Sequence, residues 1–199
     1  MVNREDLTTL HRFLKGRFNE EEAFNLSKLL YQSCFADMVT YNEINMDTVC
    51  RDDILLIACE KRLLLPIKSL PGSAWESRIL TFDNQEKYQM PRIVKFLVHN
   101  VLINGIWDYD RAIEQSLKEA GENNVREMKV FLYRLRDVST GNQLDINLMQ
   151  AVKNELAIDI DMHDALDRFV RCGIMSPLTQ RSLYSGSAKY EIHPCLFWA

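Results

Sequence analysis

Asp159, Asp161, His163, Asp164 and Asp167 crowd one short stretch of the chain, and residues of these types ligate metals. Their spacing argues for another role. An EF-hand loop starting at Asp159 needs glycine at its sixth position and glutamate at its twelfth, where the chain has Asp164 and Val170. An acidic helix start, which complements the positive end of the helix dipole, fits the pattern better. His193 and Cys195 are two potential ligands with no second pair, and Pro194 between them suits a strand end. No G-x-S-x-G, P-loop or G-x-G-x-x-G occurs anywhere. A Cys–His nucleophile would be invisible in sequence, because its partners meet only in space. The expectation is a protein that is not an enzyme, with no catalytic residue, cofactor or metal.

Composition narrows the partners. The 199 residues suit one large domain or two of about 100 residues each. Hydrophobic residues make up 47% and charged residues 26%, with Gly 7 and Pro 5, which excludes a disordered or collagen-like chain. Net charge is −4, with 11 basic against 14 acidic residues up to Met90 and 13 against 14 after it. Neither half carries the basic footprint of a dedicated nucleic-acid binder. The cysteines, Cys34, Cys50, Cys59, Cys172 and Cys195, are odd in number with no CxxC pair, and no leader pattern precedes them, so a reducing cytoplasm is expected. The longest apolar run, between Arg92 and Trp107, is interrupted by Lys95, His99, Asn100 and Asn104. It falls short of the about 20 apolar residues of a membrane span, so no membrane partner is expected.

The elements that must position any contact residue follow from periodicity and caps. Leu7, Leu10 and Leu14 share one face of a helix over 4–15, and Asn19 with Glu22 reads as a capping box opening a second helix to about Phe35. Met38–Tyr41 suits a small strand and Glu43–Asp47 a short helix. A helix follows from Thr48 to Leu63, then a proline-bearing arm at Leu64-Leu65-Pro66-Ile67, a turn at Pro71-Gly72-Ser73, and a return through Ile79, Leu80 and Phe82. Pro91–Trp107 predicts a helix with apolar residues, Ile106 among them, around much of its circumference, which requires burial on more than one side. A more amphipathic helix over 108–120 ends at Gly121. The order then repeats. Asn124 with Glu127 opens a helix, Thr140-Gly141-Asn142 turns, Leu144 is a candidate strand, and Asp145 caps Ile146–Leu156. Asp161 caps a further helix, and an arm with Pro177 leads to a turn at Ser185-Gly186-Ser187 and a return through Tyr190 and Ile192.

Helix, proline-bearing arm and hairpin, occurring twice, resembles the tandem winged helix-turn-helix superfamily over about residues 19–197. The resemblance is a pattern of elements and carries no family-specific motif. It implies a mainly α fold with small β-hairpins (α+β), namely two winged-helix units joined by a buried central helix. The expected division is 1–90 for the first unit with its N-terminal helix, 91–122 for the connecting spine and 123–199 for the second unit.

The resemblance also says where contact residues should lie. A recognition helix offers its N-terminal residues to base edges. Here those residues are Arg51, followed at once by Asp52 and Asp53, and Asp161-Met162-His163-Asp164, which bring carboxylates towards phosphates. Arg62, Arg168 and Arg171 come later, where they reach backbone at most. In the wings, Lys68, Trp75 and Arg78 flank one tip, and Arg181, Tyr184 and Lys189 the other. An aromatic at a tip either folds back on its hairpin or anchors a partner. Leu55, with Leu56, Ile57 and Ala58, makes the first recognition helix apolar over more than one face. The expected function is a cytoplasmic regulatory or assembly module acting through protein contacts, and a homo-oligomer stays open. The alternative is a DNA-binding transcription regulator, in which Lys68, Arg78, Arg181 and Lys189 would share one face.

Overall fold

A computed structural model describes residues 4–67 and 74–198. The chain is mainly α-helical with two small three-stranded antiparallel sheets. Its packing divides it into unit 1, Met1–Leu70 with Arg78–Ala112, and unit 2, Pro71–Ser77 with Ile113–Ala199.

Unit 1 runs α1 (Arg4–Leu14), α2 (Glu20–Cys34), β1 (Val39–Thr40), α3 (Thr48–Glu60), β2 (Leu65–Pro66), β3 (Lys87–Gln89) and α4 (Arg92–Asn104). Local chemistry fixes several of these boundaries. Asn19 and Glu22 form the reciprocal capping box at the start of α2, and Asp47 caps α3 by accepting from the Cys50 N–H. Only a single 3-10 turn, Tyr41–Glu43, precedes α3, in place of the short helix expected over Glu43–Asp47. The sheet order is β1-β3-β2, which leaves Pro66 on an edge strand where its missing N–H costs no ladder bond. The returning strand is Lys87–Gln89 instead of the Ile79–Phe82 run, and Ile79 and Phe82 are exposed. Lys87-Tyr88-Gln89 has the alternation a half-buried strand needs, with Tyr88 buried between Val39 and Pro66.

Helix α4 packs with α1 and α2 within unit 1, burying Ile93, Val94, Leu97, Val98 and Val101. It had been expected as part of a separate connecting segment. Gly105, left-handed at φ +71, stops it, so Ile106 lies beyond the helix and is exposed.

The boundary between the units falls inside α5 (Tyr109–Glu119). Unit 2 continues with α6 (Val125–Val138), β4 (Gln143–Asp145), α7 (Ile146–Leu156), α8 (Met162–Arg171), β5 (Met175–Pro177), α9 (Thr179–Ser185) and β6 (Lys189–Ile192). Asp145 and Asp161 cap α7 and α8 as their sequence positions predict. Asn124 does not complete a capping box. Its side-chain amide donates to Glu127 Oε2 at 2.8 Å, and its oxygen accepts no N–H of the helix start. The second arm departs from a tight hairpin. Between β5 and β6 the mostly polar stretch Thr179–Ser185 closes into a helix, and Gly186 at φ +68 is its left-handed cap instead of a hairpin tip. The expected first tip at Gly72 lies outside the described residues.

The second sheet, ordered β4-β6-β5, repeats the first in register. Pro177 on the edge faces Tyr190 on the central strand, as Pro66 faces Tyr88.

Candidate functional site

Helices α3 and α8, which precede the arms, are the elements through which the sequence reading expects contact. Helix α3 buries Ile54, Leu55, Ala58 and Cys59. Leu55 is fully enclosed and therefore a core residue instead of a contact residue. The face left to solvent carries Val49, Asp53, Leu56 and Glu60, at the i, i+4, i+7, i+11 spacing of one helical stripe. Arg51 does not project from it. Its guanidinium lies 4.6 Å from the Tyr41 ring centre and donates to the carbonyls of Met46 at 2.8 Å and Tyr41 at 3.3 Å. The Tyr41 hydroxyl in turn donates to Asp52 Oδ1 at 2.6 Å, which raises the phenol pKa. Arg51 in the first turn of α3 thus holds the preceding turn.

Helix α8 buries Ala165, Leu166 and Phe169 and exposes His163, Asp164, Asp167 and Arg171. The Asp161 carboxylate is held below its usual range, chiefly by the Asp164 backbone N–H. Arg171 pairs with Asp167 one turn earlier at 2.6 Å. Arg168 turns inward, with Nε 2.8 Å from Glu122 Oε2 and Nη1 donating to the Ala120 carbonyl at 2.6 Å. It clamps the α5–α6 connection to α8.

The arm residues separate in the same way. Trp75 is 4% exposed, so it is no surface anchor. It belongs to unit 2, where its backbone N–H donates to Ser176 Oγ at 2.8 Å and its ring stands edge-on to His193 with centroids 5.0 Å apart. Arg78 donates to the Pro66 carbonyl at 3.1 Å, and burial lowers its pKa. Arg62 is half-buried with its backbone left-handed at φ 61. Tyr184, by contrast, is 93% exposed on α9 beside the exposed Leu183, and Lys189 is half-buried on β6. Lys68 and the side chain of Arg181 lie outside the described residues. Of the four cations expected on one face, two have described side chains, one in each unit. Arg78 is turned into unit 1 and Lys189 sits on a strand of unit 2.

No group of three or more His, Cys, Asp or Glu residues is placed to hold a metal among the described residues. His193 and Cys195 meet because the Cys195 N–H donates to His193 Nδ1 at 3.2 Å, a cap on the 3-10 turn Pro194–Phe197. Burial pushes the thiol of Cys34 up to about 11 and that of Cys59 to about 12, and Cys195 is raised as well. No described helix is long and apolar enough to cross a membrane. The sequence reading missed Val49 and Phe24 as exposed apolar residues. Their positions four residues before Asp53 and three after Glu21 could have marked them as members of acidic stripes.

The chain belongs to a protein family whose model matches residues 7–198. No curated protein and no solved structure matches it.

Proposed function

We propose that this family member is a tandem winged-helix protein that works without catalysis, as a cytoplasmic regulatory or assembly module contacting another protein. The winged-helix reading is supported by the order helix, strand, helical turn or helix, helix, strand, strand in each unit, with α9 interposed between the last two strands of unit 2, and by sheet order 1-3-2 both times. The observation that carries the protein-contact reading is the outward face of the two helices that would enter a groove. Val49, Asp53, Leu56 and Glu60 on α3, and Asp161, Asp164 and Asp167 on α8, are apolar or acidic, while Arg51 and Arg168 point inward. Phosphate-driven affinity needs several Lys or Arg contacts, and these faces supply at most the already paired Arg171.

Fluorescence anisotropy against a pool of random duplexes tests the reading. At about 150 mM salt the expected Kd is no tighter than micromolar, the range of non-specific contacts. Nanomolar binding that weakens steeply as salt rises, and is lost on Lys189→Glu, would replace it with a DNA-binding regulator.

A further inference from the structure

The solvent face of α3 does not stand alone, because α2 packs beside it. On α2, Glu21, Phe24 and Lys28 occupy one stripe, with Phe24 43% exposed and the Lys28 ammonium 4.0 Å from its ring centre. Cys50 sits in the first turn of α3, where burial raises its thiol, Asp47 and Glu21 add to that, and Lys28 opposes it. Next to Cys50, Val49 is 74% exposed, and two turns on, about 10 Å along the axis, Leu56 is 55% exposed. Exposed carboxylates accompany these apolar side chains, with Asp47 capping α3, Asp53 and Glu60 on the same stripe of α3, and Glu21 on the neighbouring α2. Glu60 is partnered by Lys61, and Asp47 accepts the Cys50 N–H, but Glu21 and Asp53 enter no ion pair among the described residues.

We propose that the α2/α3 face of unit 1 docks an amphipathic helix of another protein, one with apolar residues seven apart flanked by lysine or arginine. The complementarity is twofold. Val49 and Leu56 take apolar side chains that lie two turns apart on the incoming helix, and Asp53 and Glu21 meet its cations at the rim, where charge sets register and partner choice more than raw affinity. This inference rests on the protein-contact reading and adds the partner's chemistry.

Three labelled 18-residue helical peptides test it by anisotropy at about 150 mM salt. One carries leucines at heptad positions and lysines between them, one has glutamate for lysine, and one has serine for leucine. The leucine–lysine peptide should bind at least tenfold tighter than either other. Val49→Asp, Leu56→Asp and Asp53→Lys should each weaken it at least tenfold. Asp137→Lys, an equal charge change at an exposed site on α6, should weaken it less than twofold. All the substituted side chains face solvent wholly or largely, and circular dichroism melts confirm that each variant folds. Equal binding of the serine and leucine peptides, or equal loss in the Asp137 variant, would reduce the effect to unspecific charge attraction and overturn the proposal. Duplex DNA titrated into the same samples separates the two failures. Nanomolar DNA binding overturns the protein-contact reading itself, whereas weak DNA binding with no peptide binding overturns only the assignment of this face.

Discussion

Trp75 shows how far a residue's role depends on what surrounds it. In sequence it sits just past Gly72-Ser73-Ala74, where an aromatic reads equally as a tip anchor or as a plug. It is a plug, enclosed in unit 2 against His193 and tied through its backbone to Ser176. Truncating a buried tryptophan removes its transfer free energy and leaves a cavity, so Trp75→Ala should cost about 3–5 kcal/mol in urea unfolding. A loss below about 1 kcal/mol would mean that the indole adds little to unit 2. Arg51 and Arg168 follow the same logic in the polar sense. A guanidinium with carbonyls or a carboxylate within reach of its rigid fork is oriented by them towards its own fold.

At the scale of elements, caps were readable and connections were not. Asp47, Asp145 and Asp161 each accept an N–H three residues on, a bond that depends only on local spacing. The link between β5 and β6 depends on whether the seven-residue, mostly polar stretch Thr179–Ser185 closes a helix, and Gly186 ends that helix at φ +68 with nothing within 4 Å of an added Cβ. Gly186→Ala should therefore destabilise by about 1 kcal/mol through backbone strain alone, without a clash. Thermal melts of the variant check this, and an unchanged midpoint would remove the left-handed cap as a requirement. In α4, Leu97 is fully buried. Leu97→Ala should cost about 2–5 kcal/mol by urea unfolding, and a loss below about 1 kcal/mol would show that the site collapses without penalty.

For the molecule as a whole, acidity is the condition to which the fold should respond. The carboxyls of Glu20, Glu43, Glu114 and Asp161 are all held below their usual values. The largest causes are, in turn, a hydrogen bond from Lys15, the Thr40 N–H, a hydrogen bond from Lys118 and the Asp164 N–H. A carboxyl whose folded pKa is depressed contributes stability that is present above its unfolded pKa and lost as pH falls through the folded one. Urea midpoints should therefore hold steady from about pH 7 to 5 and fall below about pH 4. Asp161→Asn keeps an N-cap acceptor that does not titrate, so its midpoint should fall less across that acid range. Identical acid profiles for the variant and the natural chain would remove Asp161 from the account.

Legible in the sequence were the helical periodicities, the aspartate caps, the edge placement of Pro66 and Pro177, and the acidic first turn of α8. All of these are set by neighbours within a few residues or by proline's missing N–H. Tertiary structure alone decided that the strand returning in unit 1 is Lys87–Gln89, that Leu55 and Trp75 are core, and that the basic residues of α3 and α8 are mostly withdrawn. It also decided that Val49, Leu56 and Phe24 remain in solvent. Each of these turns on which residues distant in sequence come to lie opposite, and a short apolar segment such as Ile79–Phe82 carries no mark of whether such a partner exists.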